Sequence, residues 1–307
     1  MKLIDIVIVN WNTGALLKKC IESIYNADLQ YISSVIVIDN NSSDDSFKLL
    51  PEHESLKLIT CNNNNGFGKA CNIGAEYSDA PYLLFLNPDT EIEKTTITEA
   101  LNFMQLESSK DIGICGVQLV DENGVVSYSC SRFPSLLNQF FKIMGVNKLW
   151  PSLGAPMRDF SHLVSMDVDQ IMGAFFLIRT ELFREHHGFD EQFFMYFDEV
   201  DLSKRISNKG YRSYFLSSVK AMHIGGGSSD NIKAIRLFYH LRSRILFFKK
   251  NHTLSKFILL VLLTIVIEPI TRIINAMLKL SFNQILETIY AYYKLWSWFL
   301  SQESNRE

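Results

Sequence analysis

Residues 34–46 read SVIVIDNNSSDDS, an unbroken apolar run that ends in a loop of Asp, Asn and Ser. A similar arrangement occurs at the start of the chain, where an apolar run from Leu3 to Val9, broken only by Asp5, leads directly into Asn10. Continuous apolar runs of this kind are typical of strands in a parallel sheet that is covered on both faces. We therefore expect a buried sheet with polar loops after its strands.

Apolar runs alternate with helical patterns over most of the chain. Strands are predicted at 4–10, 34–39, 56–60, 82–86, 112–120, 172–179 and 212–216, and helices at 13–26, 43–50, 66–77, 94–106, 181–186 and 199–209. This order predicts an α/β fold with a doubly wound, mostly parallel sheet, whose ligands bind beyond the carboxyl ends of the strands. Polar loops follow those ends at 10–13, 40–45, 62–68 and 87–90, so the chemistry is expected along one edge.

The composition bounds the function class. Of 307 residues, 47% are hydrophobic and 21% charged, which is enough apolar material for a packed core. A net charge of −3 argues against a protein that binds nucleic acid through bulk charge. The five cysteines show no CxxC pair or zinc spacing, and the first residues lack a signal-peptide pattern. We expect free thiols and a cytoplasmic chain.

Two loops have the composition of a nucleotide site. Asp39, at a strand end, can accept hydrogen bonds from a base imide or ribose hydroxyls, although the same run also suits a turn with a helix cap. The second loop, NNNNGFGKACNIG at 62–74, offers glycines and free N–H groups where a strand meets a helix. It lacks both GxGxxG and Walker spacing, and a capped helix with small residues for packing is the alternative.

Two further positions suit a metal ion. Asp89, in the turn LNPD after an apolar strand, is a reasonable ligand for Mg²⁺ or Mn²⁺ bridging a diphosphate. A neutral His223 imidazole is also a metal ligand, and Gly225–Gly227 would permit a mobile loop closing over the substrate. An Asp-Pro-type turn is common, however, and a lone histidine is more often structural.

The stretch GFDEQFFMYFDEVDL at 188–202 holds three acids within four residues, among aromatic side chains. Desolvation and like-charge neighbours would raise a carboxyl pKa here toward the range of a general base. The alternative is that Asp198 or Glu199 caps the following helix while Asp201 pairs with Lys204 or Arg205. For Asp201, the ion pair with Lys204 or Arg205 is at least as well supported as a role in the site.

The C-terminal segment differs in composition from the rest. An apolar run at 257–267 is bracketed by Lys256 and Glu268, and is shorter than the roughly 20 residues that cross a bilayer. Residues 282–300 are rich in aromatics and end in WSWFL. These helices either pack on protein or lie in the membrane interface as amphipathic anchors. Interfacial Trp and Tyr with flanking Lys and Arg favour the interface.

In their order, six segments resemble family 2 inverting glycosyltransferases, and within them the bacterial rhamnosyltransferase-like branch. They are VIVNWNT, VIDNNSSDDS, NNGFGKACNIG, FLNPD, the long segment from Gly173 to Arg212, and the loop His223–Ser228. Together they span about three quarters of the chain. The resemblance implies a GT-A fold and a metal-dependent hexosyltransferase.

The resemblance also assigns roles to residues on the donor side. It implies that Asn10 and Asp39 line the nucleotide pocket and that Asn64 and Asn72 shape its floor. Asp89 matches the metal-binding acid of the DxD element. Asn87 stands where that element has its first acid, so the resemblance leaves metal ligation to Asp89 and His223.

On the acceptor side, the resemblance places the general base at Glu199, where many relatives have Asp, with Asp198 as the alternative. The implied reaction is a single in-line displacement in which the base deprotonates the acceptor hydroxyl. Arg242 and Arg244 either add positive charge near the diphosphate or, as we expect, flank the membrane helix.

The predicted organisation is a catalytic domain at 1–230, with nucleotide-sugar and acceptor halves of about 1–120 and 121–230, and a helical, membrane-associating tail at 231–307. The predicted reaction moves rhamnose from dTDP-rhamnose to a saccharide acceptor, expected to be lipid-linked, in bacterial surface polysaccharide synthesis. The expected location is the inner face of the cell membrane, with no nucleic-acid partner. A UDP-hexose donor, a non-catalytic nucleotide-sugar-binding relative, and a homo-oligomer through the C-terminal helices remain alternatives.

Overall fold

Strand β1 (Ile4–Asn10) is buried at all seven positions and pairs in parallel with two neighbours, β2 (Ile32–Asp39) and β4 (Tyr82–Leu86). The computed structural model describes residues 2–225 and 233–304, with side chains described as far as residue 301. Two units are defined by their internal contacts. The first holds residues 1–133, 156–194 and 198–228, and the second holds 134–155, 195–197 and 229–307.

The first unit is built around a mixed sheet. The remaining strands of the unit are β3 (Leu56–Thr60), β5 (Thr90–Ile92), β6 (Ile112–Val120), β7 (Cys130–Ser131), β8 (Met166–Val168), β9 (Gln170–Ile171), β10 (Phe175–Arg179) and β11 (Arg212–His223). Of these, β7 and β9 pair with each other in a separate two-stranded sheet. The main sheet runs β3-β2-β1-β4-β10-β6-β11-β5, with β8 paired to β11. Strand β10 is antiparallel to both of its neighbours, whereas β3, β2, β1 and β4 are parallel. The predicted doubly wound, mostly parallel sheet is confirmed.

Helices cover both faces of this sheet. They are α1 (Ala15–Tyr25), α2 (Phe67–Glu76), α3 (Thr96–Gln105), α5 (Thr180–Glu185) and α6 (Asp198–Ser207). Alternate residues of β1 enter different cores: Ile6 and Ile8 pack with α1 and α3, and Val7 and Val9 pack with α2, α5 and α6. Because side chains alternate across a strand, a sheet covered on both faces needs apolar residues at every position. This explains the unbroken apolar runs.

The helix predicted at 43–50 is wrong except for one 3₁₀ turn at Ser46–Leu49. The side chain of Asp44 accepts hydrogen bonds from the backbone N–H groups of Gly14 and Ser46. The side chain of Asn12 accepts from the N–H groups of Ser43 and Asp44. Asp and Asn side chains satisfy the backbone locally, so the chain forms a compact loop rather than a helix.

The second unit is helical. It contains α4 (Leu136–Ile143), α7 (Lys233–Asn251), α8 (Leu254–Leu262), α9 (Glu268–Leu278) and α10 (Phe282–Ser304). Helix α4 begins with a capping box between Ser135 and Asn138. By their contacts, residues 134–155 group with the C-terminal helices, although the sequence predicts them to be part of the acceptor half.

The apolar run at 257–267 does not end at Glu268. A π-helical turn, Leu263–Ile267, joins α8 to α9 and makes one helix of 25 residues from Leu254 to Leu278. Within the described residues this helix is long and apolar enough to cross a membrane by length and composition. The expectation that the run is too short is wrong, because the helical conformation continues through Pro269, which occupies the first turn of α9.

Candidate active site

Asn10 and Asp39 end neighbouring strands at the same register position. The Asn10 amide donates to Asp39 Oδ1 at 2.8 Å, and to the hydroxyl oxygens of Ser42 at 3.1 Å and Ser46 at 2.8 Å. The oxygen of the same side-chain amide accepts a hydrogen bond from the Thr13 hydroxyl at 2.5 Å. Asn10 is fully buried, and its hydrogen bond fixes the orientation of the Asp39 carboxylate.

Asn40 is a site residue that the sequence reasoning missed. Its amide donates to Asn64 Oδ1 at 3.0 Å and to the Gly66 carbonyl at 3.1 Å, and its oxygen accepts from the Asn65 N–H at 2.9 Å. Asn64 Oδ1 also accepts from the Gly66 N–H. This buried side chain ties the loop after β2 to the loop after β3. Its position beside Asp39 was the available signal, but an Asn in a turn is too common to single out.

Gly66 and Gly68 bring the start of α2 against the acidic segment. Gly66 has φ +81°, and a Cβ there would lie 2.2 Å from the Phe194 carbonyl oxygen. The Phe67 N–H donates to that same oxygen at 2.9 Å. A Cβ on Gly68 would lie 3.3 Å from both Cβ and Oδ2 of Asp198. At Gly66 only glycine permits this approach, and two motifs far apart in the sequence converge here.

Asn72 clamps the turn that leads into the acidic segment. Its amide donates to the Phe189 carbonyl at 2.8 Å, and its oxygen accepts from the Phe189 N–H at 2.9 Å. Gly188, with φ +63°, leaves room for the amide, because a Cβ there would lie 2.5 Å from Asn72 Oδ1. The described contacts of Asn72 are therefore those of a residue that fixes the 188–189 backbone.

Asp198 and Glu199 begin α6 after two residues in the left-handed region, Tyr196 with φ +65° and Phe197 with φ +68°. Such backbone is costly in non-glycine residues and is characteristic of functional segments. Asp198 is buried, whereas Glu199 is half-buried. Burial, together with the charge of Glu199 and a hydrogen bond to it, raises the pKa of Asp198 well above its usual range. Burial therefore favours the protonated form of Asp198, and Glu199 is the more exposed of the two acids.

Asp201 has the structural role that the sequence left open. Its carboxylate pairs with Arg205 Nε at 2.8 Å, which confirms the predicted ion pair within the helix. Arg205 also donates to the carbonyl oxygens of His186 and, at 2.7 Å, Gly188. The pair holds the backbone before the acidic segment, and the Asp201 side chain is fully buried.

Asp89 lies at the end of the turn after β4, and His223 is the last residue of β11. Their side chains meet. Asp89 Oδ1 lies 3.3 Å from His223 Nε2, with 11% and 13% of the two side chains exposed. Burial alone would raise the pKa of Asp89, but the hydrogen bond and charge of His223 and the backbone of Gly225 hold that pKa below its usual range. Gly226–Ser228, the rest of the predicted loop, lie outside the described residues.

The pair combines a carboxylate oxygen and an imidazole nitrogen 3.3 Å apart, and both atom types bind divalent ions. Among the described residues no cluster of three His, Cys, Asp or Glu side chains could hold a metal by itself. Mg²⁺ in phosphate-handling sites is commonly held by one or two protein ligands plus substrate phosphates and water. A site with two protein ligands therefore suits an ion that arrives with a diphosphate.

Backbone contacts join the turn after β4 to the residue before β10. The Asn87 N–H donates to the Ala174 carbonyl at 3.1 Å, and the Asn87 carbonyl accepts from Thr90. A Cβ on the neighbouring Gly173 would lie 3.6 Å from the ring of Phe67, which starts α2. The predicted polar loops thus gather along one edge of the sheet.

Comparison with known proteins gives one family. The model of glycosyl transferase family 2 matches residues 5–200. The chain is 26% identical over 262 residues to the rhamnosyltransferase WbbL of Escherichia coli (strain K12), covering 82% of this chain and 95% of the relative. It is 24% identical over 265 residues to the N-acetylglucosaminyl-diphospho-decaprenol L-rhamnosyltransferase of Mycobacterium tuberculosis (strain ATCC 25618 / H37Rv), covering 81% and 85%.

Among solved structures, the mannosyltransferase PcManGT from Pyrobaculum calidifontis, in complex with GDP-Man and Mn²⁺, matches with a TM-score of 0.55 at 13% identity. The match covers 95% of this chain and 86% of that one. At this identity the likeness concerns the fold, and it confirms the predicted GT-A fold.

Proposed function

This chain belongs to glycosyl transferase family 2, and we propose that it is a metal-dependent, inverting rhamnosyltransferase that uses dTDP-rhamnose and a lipid-linked saccharide acceptor. The observation that supports this most is the pairing of Asp89 with His223 on the sheet edge that also holds Asp39 and the start of α6. That edge offers a nucleotide-side carboxylate, two metal ligands and an accessible acid.

In the proposed reaction, Glu199 takes the proton of the acceptor hydroxyl as the oxygen attacks the anomeric carbon. The bond from that carbon to the diphosphate oxygen breaks with inversion, and the nucleoside diphosphate leaves. Asp198 stays protonated beside Glu199 and does not compete for the proton. Asp89 and His223 would hold Mg²⁺ or Mn²⁺, which when bound neutralises negative charge on the diphosphate.

The donor side is proposed from the same residues. Asp39 is the carboxylate assigned to the base or ribose of the donor, and Asn10 keeps it oriented. Asn40 and Asn64 hold the loops after β2 and β3, and Asn72 holds the turn before the acidic segment. The rhamnosyl group itself is proposed from similarity to rhamnosyltransferases along most of the chain.

The acceptor and location are proposed from the second unit and from the relatives. One relative is named for a diphospho-decaprenol substrate, which is a lipid diphosphate. This chain carries a long apolar helix, and only 17% of an 18-residue apolar stretch within it is buried. Both support a lipid-linked acceptor in bacterial surface polysaccharide synthesis, and a location on the inner face of the cell membrane.

Two alternatives make different predictions. A UDP-hexose donor would use the same scaffold, and a non-catalytic relative would bind donor without transferring sugar. Purified full-length protein is incubated with Mn²⁺, membrane lipid extract and a mixed pool of dTDP-rhamnose, UDP-glucose and UDP-galactose, and the products are read by mass spectrometry. A product heavier by one deoxyhexose supports the proposal. A product heavier by one hexose overturns the rhamnosyl assignment.

The Glu199→Gln variant is the control for catalysis in this experiment. Loss of product with retained donor binding supports the base assignment. Donor binding without turnover of any donor in the unmodified protein would overturn the enzyme proposal in favour of the binding relative.

A further inference from the structure

The helix Leu254–Leu278 buries two polar residues, Thr264 and Glu268, and exposes a long apolar face. Its buried positions are spaced by multiples of four, at Leu260, Thr264, Glu268 and Ala276. Its exposed positions lie on the opposite side, and those between Lys256 and Lys279 are all apolar: Ile258, Leu259, Leu262, Val266, Ile270, Ile274, Met277 and Leu278. A helix facing water has the reverse pattern, with its apolar stripe turned inward. This face therefore suits an apolar environment.

Buried charges fix the orientation of this helix. Arg244 of α7 is fully buried and donates to Thr264 Oγ1 at 2.9 Å and to the Glu268 carboxylate. Arg272 donates to the other oxygen of Glu268 at 2.7 Å. Despite burial, these two arginines hold the pKa of Glu268 at about 2, so the cluster stays charged. Rotating the helix would leave buried charges unpaired, which is strongly unfavourable.

The last helix adds a second apolar surface. Exposed apolar and aromatic residues recur along α10 at steps of three and four: Phe282, Leu286, Ile289, Tyr290, Tyr293, Trp296 and Leu300. Trp and Tyr are enriched where a protein meets the boundary between lipid and water. Exposed apolar area on this scale is rare on proteins that remain in water.

The two units differ sharply in charge. The second unit holds 13 Lys and Arg against 5 Asp and Glu, a formal charge of +8. The first holds 17 against 28, a formal charge of −11. A strongly basic unit that exposes an apolar face is attracted to anionic lipid headgroups. A second copy of the same surface would instead bring like charges together, which disfavours a dimer through these helices.

Contacts of α7 argue against a membrane crossing. Arg236 Nε donates to the Tyr196 hydroxyl, and the Ser243 hydroxyl donates to the Met195 carbonyl, each at 2.8 Å. Residues 195–197 lead directly into Asp198 and Glu199. The same helix α7 holds the middle of the apolar helix through Arg244. If that helix crossed a bilayer, α7 and this segment would lie at mid-membrane depth, out of reach of a water-soluble donor.

From these observations we infer that α8–α9 and α10 form an in-plane anchor that inserts its apolar face into the surface of an anionic bilayer without crossing it. The inference deepens the proposed function, since it rests on a lipid-linked acceptor presented at that surface. Such helices lie at the boundary between headgroups and acyl chains. The anchor holds the segment before Glu199 near the plane from which a lipid-linked acceptor projects.

The test uses the full-length protein with vesicles of phosphatidylcholine alone or mixed with phosphatidylglycerol. We expect binding to the anionic vesicles to be at least about tenfold tighter and to weaken with salt. The double variant Ile270→Glu and Ile274→Glu, at positions 53% and 51% exposed, should lose binding by at least about tenfold. Val125→Glu, at an exposed apolar position of the first unit, is the matched control and should bind normally.

Thermal melting and donor hydrolysis are measured on every variant. A double variant that melts normally and hydrolyses donor but does not bind vesicles supports the anchor, whatever the donor proves to be. If that variant misfolds, Lys256→Gln with Lys279→Gln is used, and weaker binding to anionic vesicles supports the same surface. Equal binding to both vesicle types would overturn the inference.

Membrane extraction distinguishes an in-plane helix from a crossing one. Membranes from cells that produce the protein are washed with alkaline carbonate, which should release the chain. Retention in the washed membranes would show a crossing helix and overturn the in-plane orientation. A stable lipid-free dimer that the double variant converts to monomer would show that a second copy, and not lipid, covers this face.

Discussion

The Nε2 atom of His223 lies 3.3 Å from Oδ1 of Asp89, although more than a hundred residues separate them in the chain. The contact arises because β11 continues past Leu216 to pair with β5, directly after the turn that carries Asp89. The Ile224 N–H also donates to the Asp89 carbonyl at 3.2 Å. The backbone thus fixes both side chains together, as the proposed metal site requires.

The first prediction concerns this pair. Asp89→Asn should lower glycosyl transfer by about 100-fold or more, because it removes the charged ligand for a diphosphate-bound ion. His223→Ala should cost about tenfold, since it removes one ligand but leaves the carboxylate of Asp89 to hold the ion. Transfer rates are measured against Mn²⁺ concentration, with EDTA as the metal-free reference.

Asp45→Asn is the matched control, because Asp45 is an exposed acid that pairs with Lys48. It should leave the metal response unchanged. An Asp89→Asn variant with normal donor affinity and a normal Mn²⁺ response would show that the metal is held elsewhere.

The second prediction separates the two adjacent acids. Glu199→Gln should reduce transfer by about 1,000-fold, within the range for loss of a general base, while donor binding persists. Asp198→Asn should cost less than about tenfold, because Asp198 is already held in its neutral form, which an amide resembles. Single-turnover rates and donor titration give both quantities. If Asp198→Asn reduced the transfer rate more than Glu199→Gln, Asp198 and not Glu199 would be the general base.

The third prediction is the pH dependence of stability at Asp198. Its raised pKa means that the folded state keeps a proton that the unfolded chain releases above pH of about 3.9. Between the unfolded and folded pKa values, rising pH should therefore destabilise the native protein relative to Asp198→Asn, by about 1.4 kcal/mol per pH unit. Melting curves should nearly coincide at pH of about 4 and favour the variant at pH of about 8. A variant less stable than the native protein at the higher pH would contradict the buried neutral acid.

The fourth prediction concerns the close approach at Gly66. Gly66→Ala should cost about 3 kcal/mol or more, because it adds a Cβ 2.2 Å from the Phe194 oxygen to a residue with φ +81°. Gly124 is the matched control, because it has φ +76° and an added Cβ there would meet no atom within 4 Å. Gly124→Ala should therefore cost only about 1–2 kcal/mol. Denaturant unfolding measures both. Equal losses would mean that the contact with Phe194 is unimportant.

Only some residues of the proposed site could be predicted from the sequence. Asp39, Asp89, Glu199 and His223 are identified by their positions after strands or within a family pattern. Asn40 is not, because its importance lies in bonds to Asn64, Asn65 and Gly66 on another loop. The resemblance assigns Asn10 to the pocket wall, whereas the structure shows its side chain buried among Asp39, Ser42 and Ser46.

The second unit shows a similar limit. The apolar composition of the tail is evident, but the buried partners of Glu268 are not, since Arg244 and Arg272 meet it from two helices. Likewise, nothing local in residues 134–155 indicates that they join the C-terminal helices. Both depend on contacts between segments that composition does not relate.

Local periodicity determined the strands, most helices and the edge of the sheet where polar loops collect. The spacing of apolar residues shows whether an element is buried on one face or on two. Tertiary structure alone decided which acid is buried and which is accessible at the start of α6. It also decided that Asp89 meets His223, and that the polar side of the apolar helix faces inward. These outcomes depend on long-range packing, and only the folded chain brings those side chains within a few ångströms of one another.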